Sequence, residues 1–129
     1  MREILFRGKR VDNDAWVEGL LTIMWGQYHI IQPNDENTAY PIILKTIGQY
    51  TGLTDKNGTK IFEGDIIDFS GRSDGDGYGV VQYDVDETEF AIMCDSFYQG
   101  LGRCCYSKNI EVIGNIFDNP GWVGDENNV

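Results

Sequence analysis

Gly71-Arg72-Ser73-Asp74-Gly75 has the G-x-S-x-G spacing that can set a serine on a sharp turn as a hydrolytic nucleophile. That chemistry needs a helix directly after the serine and a later histidine to take its proton. More glycine follows instead, the sole histidine (His29) stands upstream, and the chain is short for such a hydrolase. The pattern reads as a coincidence within a Gly/Ser/Asp loop. Asp74-Gly75-Asp76-Gly77 opens like a calcium loop, but Tyr78 stands where a third oxygen ligand belongs. Val85 occupies the place of the bidentate glutamate, so the segment reads as a polar turn.

The other reactive side chains assemble no better. His29 lies on an apolar strand and reads as a packing residue rather than a general base. One histidine and no spaced cysteine pair exclude a structural zinc pattern. Cys94, Cys104 and Cys105 are odd in number, and neighbours such as Cys104 and Cys105 pair poorly with each other. Reduced thiols in a cytoplasm fit that pattern. Asp84, Asp86, Glu87 and Glu89 offer alternating carboxylates, as an acid/base pair requires. Around a hairpin turn they read as a solvated edge that discourages strand-to-strand aggregation. The expectation is no catalytic set, no metal and no cofactor.

Aromatic residues remain. Trp16, Trp25, Tyr28, Tyr40 and Tyr50 are dense enough for an interaction surface, although many aromatics in a β domain serve the core. Trp16, Trp25, Tyr28 and Tyr50 are the candidate contact residues.

The elements that must position these residues are extended. At 129 residues, 41% hydrophobic and 12% aromatic, the chain suits one folded domain without disulfide or metal support. Strands are predicted over 3–7, 15–25, 28–32, 41–47, 60–62, 66–69, 79–83, 89–94 and 109–117, separated by glycine, asparagine and aspartate. A turn region covers 8–14, and Gly19 is a candidate bulge in the long second strand. Asn57-Gly58 is a tight-turn dipeptide. Phe62-Glu63-Gly64-Asp65 reads as a corner, with Gly64 left-handed and the Asp65 carboxylate capping a nearby N–H. Residues 70–77 read as a flexible loop, 96–106 as irregular with one short helical turn, and the tail after Val123 as frayed. No stretch holds a 3.6-residue period between start and stop signals. The expected fold is all-β: a small SH3-like or pseudo-barrel core in the C-terminal part, with an N-terminal β-hairpin extension.

Charge narrows the partners. The net charge is −11. Residues 1–64 hold seven Lys/Arg against eight Asp/Glu, and residues 65–129 hold three against thirteen. Such a surface repels phosphate, and the only basic cluster is Arg2, Arg7, Lys9 and Arg10, so direct nucleic-acid binding is disfavoured. The opening residues have no apolar signal region, and no later run approaches a membrane span. No membrane contact and a cytoplasmic location are expected.

Three blocks carry a resemblance: Met1-Arg2-Glu3-Ile4 with Phe6-Arg7-Gly8, the run from Ile47 to Asp68, and Ile110-Glu111-Val112-Ile113-Gly114-Asn115-Ile116-Phe117-Asp118-Asn119-Pro120. Together and in this order they resemble the YopX family of phage and prophage proteins, which has no established activity. The resemblance implies an all-β fold with a barrel-like C-terminal core, and it supplies no catalytic residues. On it the chain is one domain over 1–129, divided into 1–45 for the N-terminal strands, 46–120 for the core and 121–129 for the tail. The expected function is that of a phage or prophage accessory protein in the host bacterial cytoplasm. It would act by contact with a host or phage protein, or by forming a homo-oligomer. The alternative is an acidic DNA mimic that occupies a host nucleic-acid-binding protein, motivated by the negative charge after residue 64.

Overall fold

The computed structural model describes residues 3–68, 77–94, 97–101 and 110–120, and the side chains of Cys94, Phe97 and Gln99 fall outside that description. The chain forms two compact units, Met1–Gly52 and Leu53–Val129. It is all-β, built on two antiparallel sheets.

The first unit contains β1 (Phe6–Lys9), β2 (Trp16–Met24), β3 (Gln27–Ile31), β4 (Ala39–Pro41) and the start of β5 (Gly48–Thr54), in the order β4-β3-β2-β1-β5. Register sorts the side chains onto two faces. Phe6 lies opposite Gly19, Gly8 opposite Val17, Leu21 opposite Ile30, and Ile30 opposite Tyr40. That face packs Val17, Ile30 and Ile42 with Phe6, Leu21, Tyr40 and Ile47. The opposite face takes Arg7 beside Glu18 and Lys9 beside Trp16. Alternation along a half-buried strand produces this separation.

The structure corrects two of the expected elements here. The expected strand over 41–47 ends at Pro41 and gives way to a 3-10 turn, Leu44–Thr46. Its β-branched composition suggests a strand, but the buried Thr46 hydroxyl donates to the Ile43 carbonyl at 2.6 Å and accepts the Lys9 N–H at 2.9 Å. Such a local side-chain bond competes with a ladder. The turn expected from residue 8 begins later, because β1 continues to Lys9 and Arg10 bridges to Ile42.

The second unit contains β6 (Lys60–Phe62), β7 (Asp65–Asp68), β8 (Tyr78–Asp84), β9 (Glu89–Cys94), β10 (Phe97–Gly100) and β11 (Glu111–Asn115). Its five-stranded sheet runs β10-β9-β8-β7-β11. Ile61, Ile67, Val81, Ile92, Leu101 and Ile110 form the core, joined by Phe90 and Val112. This core is barrel-like but open, since among the described residues no ladder joins β10 to β11. β10 falls within the stretch expected to be irregular; its residues satisfy the outer edge of β9 in the register Phe97 opposite Cys94. The loop expected at 70–77 lies mostly outside the described residues, as do 102–109 and the tail from 121.

Turn chemistry holds this unit together. Gly64 has φ 89°, and the place of a Cβ there lies 3.0 Å from the Phe117 ring, so glycine is required twice over. The buried Asp65 accepts the Phe62 N–H at 2.7 Å, which is the expected cap. Of Asn57-Gly58 only Gly58 is left-handed, at φ 82°. The loop is instead organised by Asp55, 3% exposed. One Asp55 oxygen accepts the N–H groups of Asn57 (2.8 Å) and Thr59 (2.9 Å), and the other accepts that of Val112 (2.8 Å). Asn115 does similar work at the end of β11, accepting the N–H groups of Phe117 at 3.0 Å and Asp118 at 2.9 Å. Asn119 closes the return by accepting the Asn115 N–H at 3.2 Å.

Candidate functional site

Several of the candidate reactive residues lie outside the described part of the chain. Residues 71–76, with the G-x-S-x-G pattern and the calcium-like aspartates, lie outside the described residues, and so do Cys104 and Cys105. His29 is half-buried on β3 opposite Thr22, and its Nδ1 lies 2.9 Å from the Gln27 carbonyl. Among the described residues no three His, Cys, Asp or Glu side chains gather as metal ligands would.

The carboxylates at the β8–β9 turn are tied into the turn itself. Asp84 accepts the Asp86 N–H at 3.0 Å, and the Tyr98 hydroxyl lies 2.8 Å from both Asp84 and Glu89. Donation by Tyr98, ahead of the N–H groups of Asp86 and Glu87, outweighs desolvation and holds the Asp84 carboxyl below its ordinary 3.8. The phenol is pushed above its ordinary 10.0 by desolvation and by the two carboxylates. The bond to Asp84 therefore contributes above the ordinary carboxyl pKa and is lost as pH falls through the lower folded value. Tyr98→Phe is expected to move the Asp84 midpoint back up toward 3.8, read by carboxyl-carbon NMR titration; an unmoved midpoint contradicts the assignment.

Of the basic cluster, Arg2 lies outside the described residues, and Arg7, Lys9 and Arg10 stand on aromatic rings. Arg7 lies over the Trp16 ring at 4.7 Å and Lys9 at 5.4 Å. Arg10 lies over Tyr40 at 4.3 Å and grips Asp12 with two bonds, of 3.0 and 2.7 Å. These cations lie on aromatic faces, a favourable arrangement for a planar or ammonium charge.

Of the four candidate contact aromatics, the structure brings two together. Tyr50 is buried, 8% exposed, with its N–H on the Leu5 carbonyl at 2.8 Å, which corrects its placement on a surface. Trp16 is half-buried beneath Arg7 and Lys9. Trp25 and Tyr28 share the end of the β2–β3 hairpin. Trp25 is 95% exposed, with φ 51°, and Gly26 follows at φ 76°. Two left-handed residues between Met24 and its partner Gln27 form the tight turn that suits strand twist. Tryptophan is a poor choice there, because its Cβ crowds the backbone in that conformation. A bulky residue held strained and fully in water satisfies no packing need.

Two neighbours were not foreseen. Ile23, 57% exposed, stands opposite Tyr28 on one face of the ribbon, and Leu20, 58% exposed, stands on the other. Their sequence signal is an absence of charge: from Gly19 to Asn34 no Asp, Glu, Lys or Arg occurs, in a chain that is 24% charged. The result is an apolar, uncharged arm ending in tryptophan.

Fold and surface together define an all-β protein of two antiparallel-sheet units, with an apolar hairpin arm as the conspicuous exposed feature of the first. The YopX protein family matches residues 6–123, and the chain belongs to that family. The crystal structure of protein EF1440 from Enterococcus faecalis is similar, with 20% sequence identity and a TM-score of 0.51, over 96% of this chain and 100% of that one. At that identity the likeness concerns the fold alone. No curated protein matches the chain. Among the described residues no helix is long and apolar enough to cross a membrane.

Proposed function

We propose that the chain is a phage or prophage accessory protein that works in the host cytoplasm by protein–protein contact through the β2–β3 arm. The supporting observation is Trp25, almost wholly in water on a left-handed turn position that costs stability. Tryptophan is among the residue types most enriched in binding hot spots, and the exposed Ile23 and its partner Tyr28 lie next to this turn on one face of the ribbon. The phage setting comes with the family. Affinity capture from phage-carrying cells tests the reading. The wild-type chain is expected to retain a protein that Trp25→Ala loses while remaining folded. Identical captured sets from both chains would remove the basis for it.

A further inference from the structure

Resting on that reading of the arm, we infer that its partner is a second copy of this chain, joined edge to edge along β2. The tight Trp25-Gly26 turn makes Met24 and Gln27 the closing hydrogen-bonded pair. Antiparallel alternation then directs the backbone groups of Leu20, Thr22 and Met24 toward β3, and those of Leu21 and Ile23 away from it. β1 covers that outer side only as far as Gly19, opposite Phe6. Among the described residues no strand runs beside Leu21 to Ile23.

Among the described residues, two of the sheet edges, β4 and β11, are blunted. β4 is three residues long and ends in Pro41. Along the outer side of β11, the Val112 N–H is taken by the Asp55 carboxylate and the Ile110 carbonyl by the Lys56 N–H at 3.0 Å. Proline, charge and side-chain cover are the devices that keep sheet edges from pairing. The open stretch of β2 carries none of them, and its side chains include the exposed Leu20 and Ile23.

Charge favours this edge as the place where a second copy docks. Two copies, each at −11, repel, and the uncharged run Gly19 to Asn34 is where they meet with least repulsion. A neutral apolar edge is also complementary to itself, as a two-fold interface requires. An antiparallel register centred on Thr22 sets Leu21 opposite the partner's Ile23 and Ile23 opposite the partner's Leu21. The small contact makes a weak, reversible dimer.

Sedimentation equilibrium of the full chain, at about 0.05 M and about 0.5 M NaCl, tests this, because salt screens the mutual repulsion. The dimer is expected to tighten with salt, and the Leu21 and Ile23 amides to exchange more slowly as protein concentration rises. Ile23→Lys is expected to weaken it at least about tenfold, as loss of a central anchor does. Ile23→Pro deletes only an outward N–H, leaves the β3 ladder intact, and is expected to do the same. A chain monomeric at both salts up to its solubility limit overturns the inference, as does a dimer indifferent to both variants. If a monomeric chain still captures a different protein through Trp25, self-pairing fails and the arm survives as a contact surface. If neither occurs, both readings fail.

Discussion

Asp55→Ala is expected to lower the stability of the second unit by about 2–4 kcal/mol, because three backbone N–H groups lose a charged acceptor together. The half-buried Val112 N–H costs about 1–3 kcal/mol, and those of the exposed Asn57 and Thr59 cost less because water can replace the carboxylate. The losses add incompletely, since Asn57 and Thr59 share one oxygen and relax as a loop. Val112 has less freedom, because it lies in a strand between Glu111 and Gly114, both paired with β7. Asp55→Asn is expected to fall between the two, since its amide turns a donor toward an N–H. Burial alone would raise the Asp55 pKa, but the N–H groups of Val112, Thr59 and Asn57, with the Lys56 charge nearby, bring it below 3.8. A lowered carboxyl pKa gives stability above the ordinary value that disappears as pH falls through the folded value. The gap between wild type and Asp55→Ala is therefore expected to be full at neutral pH and to shrink in strong acid. Amide exchange at Asn57, Thr59 and Val112 reads it directly. Unchanged protection at these three amides in Asp55→Ala would show that the carboxylate does not organise the loop.

Trp25→Asn is expected to change stability and binding in opposite directions. Asparagine accepts the left-handed conformation readily, whereas a bulky residue there costs about 1–2 kcal/mol. With Gly26 following, the variant carries the preferred pair for this turn, so stability is expected to rise by about 1 kcal/mol. Partner binding is expected to weaken about 30-fold or more, the equivalent of losing a hot-spot anchor of about 2 kcal/mol. A binding site is where a stability cost of this kind is tolerated. Thermal unfolding and a binding titration of one preparation check both halves. Reduced stability in Trp25→Asn would mean that the indole packs against the protein instead of facing a partner.

The local chemistry of this fold is readable from single residues. The Gly64-Asp65 corner and the β2–β3 and β8–β9 hairpins follow from backbone preference, turn residues and side-chain reach. What escaped depends on distant partners. Residues 43–47 look extended until Lys9 arrives to bond the Thr46 hydroxyl. Tyr50 and Tyr28 have similar neighbours in sequence, yet one is buried and the other edges an arm, because strand register decides which face meets a core. Asn57-Gly58 announced a turn, but Asp55, the residue that organises it, shows its role only when Val112 is beside it.

The family blocks illustrate the same division. Gly64, Asp65 and Asn115 all serve turns, and Gly114 leaves no room for a Cβ, which would lie 2.5 Å from Asn119 Oδ1. The matching blocks therefore describe a scaffold. Trp25 lies outside them, on a run whose lack of charge is informative only against the acidity of the rest of the chain.

A photo-crosslinking side chain placed at position 25, and separately at the exposed Val11 and Val85, offers the most direct measurement of whether the arm is the contact surface. Irradiation in phage-carrying cells is expected to give a discrete protein adduct, a second copy included, from position 25 and from neither control. Adducts from Val85 or Val11 with none from position 25 would contradict the assignment.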